Sequence, residues 1–219
     1  MVYLALSCLQ GRMAREAVCD LTKLEPEGIQ LTPGNIPEED FKDWFDAQNI
    51  PFMTHHGFDW EYRKRRVWNR SEGSYSCEAL EGASVHPPIN PDIGEDWMMS
   101  GRVLEVMYGA YGLGNENDVR LAMSLGVPLA VDVSHVYIQL EQETMSPKVW
   151  KHLQEYDNIV EVHVSANNGR HDTHQPLTAD SFGLAWAREK AKAGTPLVLE
   201  CYMHKLSESD RLQQMEMFR

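Results

Sequence analysis

The sequence predicts an α/β protein, a compact (β/α)8 barrel with parallel strands and a trimmed set of outer helices. Three observations carry that expectation. Short apolar runs rich in β-branched residues alternate with longer helical patterns. The alternation recurs eight times, as parallel βα units closing into a barrel would require. Ionisable residues stand at or near the end of run after run, where a barrel gathers them at one mouth. With 219 residues the chain is short for this architecture, so the outer helices must be short, and one domain is expected over 1–219. An open doubly wound sheet is the alternative. No glycine-rich phosphate loop follows any run, which weakens the nucleotide-binding versions of that alternative.

The elements follow in order. The first run is Val2–Cys8, with a helical pattern over Met13–Leu24. The second is Gly28–Leu31, followed by a helix over Pro37–Gln48. Its start is read from Pro37 and the acidic Glu38, Glu39 and Asp40, since carboxylates favour the positive helix end. The third run, Pro51–His55, precedes a long polar segment from Asp59 to Leu80. The fourth, Ala83–His86, leads to a helix near Pro91–Ser100, and the fifth, Val103–Tyr108, to one over Asn115–Leu125. The sixth spans Leu129–Ile138, before a helix over Ser146–Glu155. The seventh is Ile159–Val164, with a helix over Ala179–Ala193, and the eighth is Pro196–Tyr202, with a charged amphipathic tail from Ser207.

Composition bounds the class. Hydrophobic residues make up 42% and charged residues 24%, enough apolar side chain for a core and too much for disorder. No apolar run reaches the roughly 18 residues of a membrane span, and Met1–Met13 lacks the pattern of a signal peptide. A cytoplasmic location without membrane partners is therefore expected. Cys8, Cys19, Cys77 and Cys201 are scattered, with no CxxC pair, and are read with the eleven methionines as core filler. The formal net charge of -13 disfavours nucleic acid as a partner. One local concentration of cations exists, Arg63, Lys64, Arg65 and Arg66, with Arg70 beyond. It reads either as a solvated loop or as a clamp for phosphate or carboxylate, to which guanidinium forks are suited. Trp60, Tyr62 and Trp68 interleave with it, as a stacking lid or as anchors of the loop.

The chemistry lies in the runs themselves. His55 and His56 end the third, His86 ends the fourth, and Glu105 lies in the fifth. Asp132 and His135 are placed in strand six, His163 in strand seven and Glu200 in strand eight, with Asp172 and His174 in the loop after strand seven. Burying a lone carboxylate costs several kcal/mol unless it is paired or ligated, roughly. Imidazoles and carboxylates converging on a concave mouth describe a site for divalent metal, and zinc, manganese, iron and cobalt all accept such ligands. Side chains alternate across a strand, so one of His55 and His56 faces the site; His55 is the first choice as ligand, and His56 joins Arg65, Arg66 and Trp68 as a substrate-binding candidate. His152, His171 and His204 read as solvated bystanders.

The residues resemble those of the xylose-isomerase-like TIM barrel superfamily, which includes sugar isomerases and epimerases and the endonuclease IV family. The resemblance covers nearly the whole chain. It rests on Ala130-Val131-Asp132-Val133-Ser134-His135, on Val162-His163-Val164-Ser165-Ala166-Asn167-Asn168-Gly169-Arg170-His171-Asp172-Thr173-His174-Gln175-Pro176-Leu177, and on Leu197-Val198-Leu199-Glu200.

In the isomerase and epimerase branch, residues matching Glu105, Asp132, His163 and Glu200 hold one metal, and the two glutamates are the acid–base pair at a sugar carbon. The resemblance thus implies proton transfer on a small polar substrate, sugar or sugar phosphate. In the endonuclease IV branch, three zinc ions are held by residues matching His55 (or His56), His86, Glu105, Asp132, His135, His163, Asp172, His174 and Glu200. A third branch, multinuclear non-haem iron oxidases that modify cysteines in ribosomal peptides, is similar around Asp132–Tyr137, Asp172–His174 and Trp186, and would bring a peptide substrate or a partner protein. The cofactor implied is one to three divalent ions (Mn, Zn, Fe or Co), and a homo-oligomer is allowed. Two departures stand out. The Pro-Leu-Gly-x-Gly turn common in the superfamily is replaced by Pro176-Leu177-Thr178-Ala179-Asp180, and Gln30 stands where strand two often ends in a substrate-facing glutamate.

Overall fold

The computed structural model describes residues 1–61, 80, 82–91 and 96–218. Eight parallel strands form one sheet: β1 (Val2–Ala5), β2 (Gly28–Leu31), β3 (Phe52–Thr54), β4 (Ser84–Val85), β5 (Val103–Glu105), β6 (Leu129–Asp132), β7 (Ile159–Val164) and β8 (Leu197–Leu199). Their order is β3-β2-β1-β8-β7-β6-β5-β4, so the two ends of the sheet are consecutive strands. Among the described residues they are brought together by one parallel bridge, His55 to Ser84, in which the His56 N–H donates to the Ser84 carbonyl at 2.9 Å. The result is a nearly closed (β/α)8 barrel, as predicted.

The outer layer is α1 (Ala14–Thr22), α2 (Phe41–Gln48), α3 (Glu116–Ser124), α4 (Val133–Glu141), α5 (Pro147–Gln154), α6 (Leu184–Lys192) and α7 (Glu208–Glu216). Alternation along the strands divides the side chains. Leu104, Leu129 and Val131 pack outward with Val119, Val149 and Leu153 of α3 and α5. Leu4, Ile29 and Leu31 pack with Val18, Leu21, Phe41 and Phe45 of α1 and α2. The intervening strand residues turn into the barrel. Gly28 opens β2 because nothing larger fits: a Cβ there would lie 2.2 Å from Tyr3 Cε1 and 2.5 Å from the Pro51 carbonyl oxygen.

Several sequence expectations need correction. Some are shortened ends: the first run leaves the strand at Ala5 for a 3-10 turn over Leu6–Leu9, and the helix after the seventh run begins at Leu184. Three others change the reading. The sixth run is not one strand. β6 stops at Asp132 and α4 begins at once, because the Asp132 carboxylate accepts the Ser134 and His135 N–H groups at 2.6 and 3.3 Å and caps the helix. His135 is therefore a helical residue. Second, α2 begins at Phe41, not Pro37, since the Glu38 carboxylate is taken by the Arg15 N–H at the start of α1. Third, the described part of Pro91–Ser100 holds only a 3-10 turn, Met98–Ser100. Of the cysteines, Cys8 and Cys201 are buried as read, whereas Cys19 is exposed on α1; Met1, Met13 and Met99 are likewise exposed rather than core filler. Among the described residues no helix is long and apolar enough to cross a membrane.

Candidate metal centre

Six of the eight strands, β3 to β8, each bring a histidine or a carboxylate to the same mouth. Glu105 and Asp132 are the last residues of β5 and β6, His163 is the last but one of β7, and His55, His86 and Glu200 follow directly on β3, β4 and β8. His135 reaches the mouth from the first turn of α4, three residues after its cap. Had Leu129–Ile138 been one strand, Asp132 and His135 would have faced opposite ways; the early helix start puts them together, with His135 Nε2 3.5 Å from Asp132 Oδ2.

Asp172 and His174 come from a loop whose base is pinned by paired backbone hydrogen bonds between Ala166 and Gln175, at 2.9 and 2.7 Å. The Asn167 amide donates to the Ser134 carbonyl at 2.8 Å, and the Tyr202 N–H donates to the His174 carbonyl at 2.8 Å. Asp172 Oδ2 meets His174 Nε2 at 2.9 Å and His135 Nε2 at 3.2 Å.

Glu105 is the hub. Its Oε2 lies 3.1 Å from His86 Nε2 and 3.4 Å from His55 Nε2. Its Oε1 lies 3.3 Å from His135 Nδ1 and 3.6 Å from His163 Nδ1. Glu200 Oε1 lies 3.5 Å from the same His163 nitrogen. Asp132 and His163 are fully buried beneath the mouth, and the Asp132 Oδ2 and His163 Nδ1 atoms have no hydrogen-bond partner among the described residues. Buried polar atoms are ordinarily satisfied, so these mark a place for a cation.

The residues present fit a divalent ion by this test and by donor chemistry. Four groups among the described residues bring one ligand atom each to within 4.8 Å of one another: Asp132, His163 and Glu200; Glu105, Asp132 and His135; His55, His86 and Glu105; and His55, Glu161 and His163. Neutral imidazole and carboxylate suit zinc, manganese, iron and cobalt. Of the adjacent pair, His55 faces this cluster, with Nδ1 on the Ser84 hydroxyl at 2.8 Å. His56 turns behind it, and its Nδ1 accepts the His86 N–H at 3.1 Å.

The electrostatics divide the site. Burial, with His86 second, pushes His56 down to about 4, and burial drives His55 well below the ordinary imidazole value. Burial opposes charge on His163 and His174 too, but Glu200 and Glu105 hold His163 well above the usual value and Asp172 lifts His174 to about 9. The two glutamates part company. Burial, reinforced by Asp132 and Glu105, raises Glu200 to about 7. Burial would raise Glu105 as well, but the surrounding imidazoles, His86 first and then His135 and His163, hold it well below the carboxylate range.

Above the cluster is a cavity of about 360 Å³. Its walls add residues that sequence reasoning missed: Gln10 and Thr32 on one side, Tyr108 and Tyr111 on another, and Tyr202 beside His174 with ring centroids 4.9 Å apart. Tyr202 had a signal, since it lies two residues beyond Glu200. Glu161 was also missed; it is buried and 3.0 Å from His163 Nε2. Gln30 does not face the cavity but sits fully buried with its amide nitrogen 3.3 Å from His163 Nε2. Trp186 packs on Trp150 in the outer layer, with centroids 5.0 Å apart, and His152, His171 and His204 are exposed as read. Arg65, Arg66 and Trp68 lie outside the described residues, as do Cys77 and the rest of the basic run.

Comparison with known proteins agrees with this architecture. No family model matches the chain, and no curated protein does. Among solved structures, the chain is similar to a D-tagatose 3-epimerase-like protein, with a TM-score of 0.62 over 98% of this chain and 94% of that one. Sequence identity is 13%, so the likeness is one of fold. The shared fold is the eight-stranded parallel (β/α)8 barrel that the alternation of strand and helix patterns anticipates.

Proposed function

We propose that the protein is a divalent-metal-dependent isomerase or epimerase that moves a proton on a small polar, sugar-like substrate. The observation that carries this reading is the pair Glu105 and Glu200. They flank His163 Nδ1 at 3.6 and 3.5 Å, and their environments push them apart, one ionised and one able to keep a proton near neutral pH. Two carboxyl groups tuned in opposite directions mark a base and an acid. The D-tagatose 3-epimerase-like neighbour supports the same class.

Asp132, His163, Glu200 and Glu105 would hold the ion, which supplies Lewis acidity toward a carbonyl and its neighbouring hydroxyl when bound. Glu105 takes the proton from the carbon between those groups, and Glu200 returns one from the other side. Tyr108, Tyr111 and Tyr202 line the cavity and would bring ring faces and hydroxyls to the substrate. For a phosphorylated substrate, Arg65 and Arg66 would take the phosphate, and replacing them should raise KM with kcat little changed. The test is to incubate the metal-loaded protein with ketoses and aldoses in deuterium oxide. Deuterium entering the carbon next to the carbonyl supports the reading; exchange on none of them, by a protein shown to hold its ion, contradicts it.

A second reading rests on the surplus of ligands. His55, His86 and His135 form groups with Glu105 that one ion does not need. Two or three zinc ions would serve phosphoester hydrolysis, in which paired metals clamp the attacking and leaving oxygens. Two or three irons would serve oxidation of a peptide cysteine. Metal counted per chain separates these readings: about one for the isomerase, two or three for the others.

A further inference from the structure

Glu161 is a buried carboxylate that the proposed chemistry does not use. It lies on β7 opposite Ala130 of β6, and His163, two residues on, lies opposite Asp132. Residues two apart on a strand share a face, so both point into the barrel, with Glu161 one layer below the mouth. The small side chain of Ala130 leaves that layer room. Only 6% of Glu161 is exposed. An ionised carboxylate is rarely tolerated at such burial unless it is paired, and here Oε1 meets His163 Nε2 at 3.0 Å.

The pairing has a chemical direction. An ionised carboxylate accepts and cannot donate, so the hydrogen on the shared contact belongs to His163 Nε2. A neutral imidazole protonated at Nε2 carries its lone pair at Nδ1. That is the atom facing Glu105 and Glu200, and it is the one without a hydrogen-bond partner. The other neighbour of Nε2 is the Gln30 amide nitrogen at 3.3 Å. Left alone with Nε2, that NH2 group would donate to it, place the hydrogen on Nδ1 and spoil the ligand.

We infer that Glu161 is the positioning residue of the metal centre: it holds His163 in the Nε2–H form and turns its Nδ1 lone pair toward the ion. This rests on the metal-dependent reading above. A histidine ligand backed by a carboxylate is a general device of metal sites, and removing the backing group typically weakens metal binding about 10–100-fold.

The experiment compares the full-length protein with E161Q and E161L, each checked for fold by circular dichroism. Zinc affinity and stoichiometry are read by competition with a chromophoric chelator, and the His163 ring is read by nitrogen-15 NMR of the zinc-loaded proteins. The expected result is unchanged stoichiometry, a roughly 10–100-fold affinity loss in E161L and a smaller one in E161Q, whose amide oxygen still accepts. The hydrogen-bonded Nε2–H proton seen in the unaltered protein should shift or vanish in E161L. If E161L fails to fold, E161Q alone decides by the same readouts. Unchanged affinity with a lowered melting temperature would make Glu161 merely structural and overturn the inference. One zinc fewer per chain would make it a ligand and overturn it too. An unaltered protein that binds no zinc, manganese, cobalt or iron would instead overturn the metal reading on which it stands.

Discussion

His174 Nε2 lies 2.9 Å from Asp172 Oδ2, and the backbone of His174 is left-handed, with φ of 44°. Such a conformation is uncommon outside glycine, though asparagine, aspartate and histidine adopt it more readily than other residues. It is held by the Tyr202 N–H on the His174 carbonyl and by the pinned loop base. Asp172 lifts His174 to about 9 against the opposing effect of burial, while His174 and His135 hold Asp172 well below the usual carboxylate value although burial opposes them.

A pH dependence of the metal-free protein follows. A histidine raised in the folded state adds stability that is full below its unfolded value near 6.5 and is lost as pH rises through about 9. The urea midpoint of the unaltered protein should exceed that of His174→Gln at pH 6. The gap should close by about pH 10, beyond the range of that titration. A gap that persists or widens there would show that the ion pair is not its source.

Metal removal should cost the fold. Ligand bound only to the native state, free at about 1,000 times its dissociation constant, stabilises by roughly 4 kcal/mol. A domain of this size gains about 2–4 °C per kcal/mol. Chelation should therefore lower Tm by about 8–16 °C, and zinc or manganese should restore it. Scanning calorimetry with and without chelator checks this.

Glu200→Gln should abolish solvent-proton exchange into substrate while circular dichroism stays unchanged, because the fold does not need its proton. His86→Ala and His174→Ala should change a one-metal enzyme little and a three-metal enzyme by orders of magnitude. Metal content and turnover of the three variants, measured together, separate the readings.

Thiol reactivity should split sharply. Burial pushes Cys201 up to about 12 and Cys8 well above the ordinary thiol value, whereas Cys19 is exposed. Thiolate is the nucleophile, so iodoacetamide at pH 8 should label Cys19 and spare Cys8 and Cys201 until the protein is unfolded. Peptide mass spectrometry reads the sites.

Gly28→Ala should destabilise the barrel by roughly 1–3 kcal/mol, the range for overpacking, because the added methyl group collides with Tyr3 and the Pro51 carbonyl. A shift of the urea midpoint without change in its slope would check it.

Much of this was legible in the sequence, for identifiable reasons. Gly28–Leu31 and Ile159–Val164 match their strands end to end, because turn residues or polar clusters bound them cleanly. The convergence of strand-end histidines and carboxylates was legible because a carboxylate in an apolar run needs a partner. Leu129–Ile138 was misread because its apolar run continues unbroken from strand into helix, and the capping role of Asp132 is hidden when the same residue also reads as a ligand. Glu161 went unnoticed because one charged residue at the start of a strand looks like solvent exposure. The sequence beside it, with Val160 exposed and Glu161 buried, inverts the usual pattern. Tyr108 and Tyr111 could not be found from spacing, since loop geometry alone brings them to the cavity.

The seam between β3 and β4 has a mechanical meaning. Among the described residues one backbone bridge joins those strands, with further contacts from His55 Nδ1 to the Ser84 hydroxyl at 2.8 Å, between the Nε2 atoms of His55 and His86 at 2.9 Å, and from the His86 N–H to the His56 ring. An ion shared by His55, His86 and Glu105 would tie the end of β3 to the start of the chain after β4 and to β5. Assembly of those ligands and closure of the cylinder would then be one event.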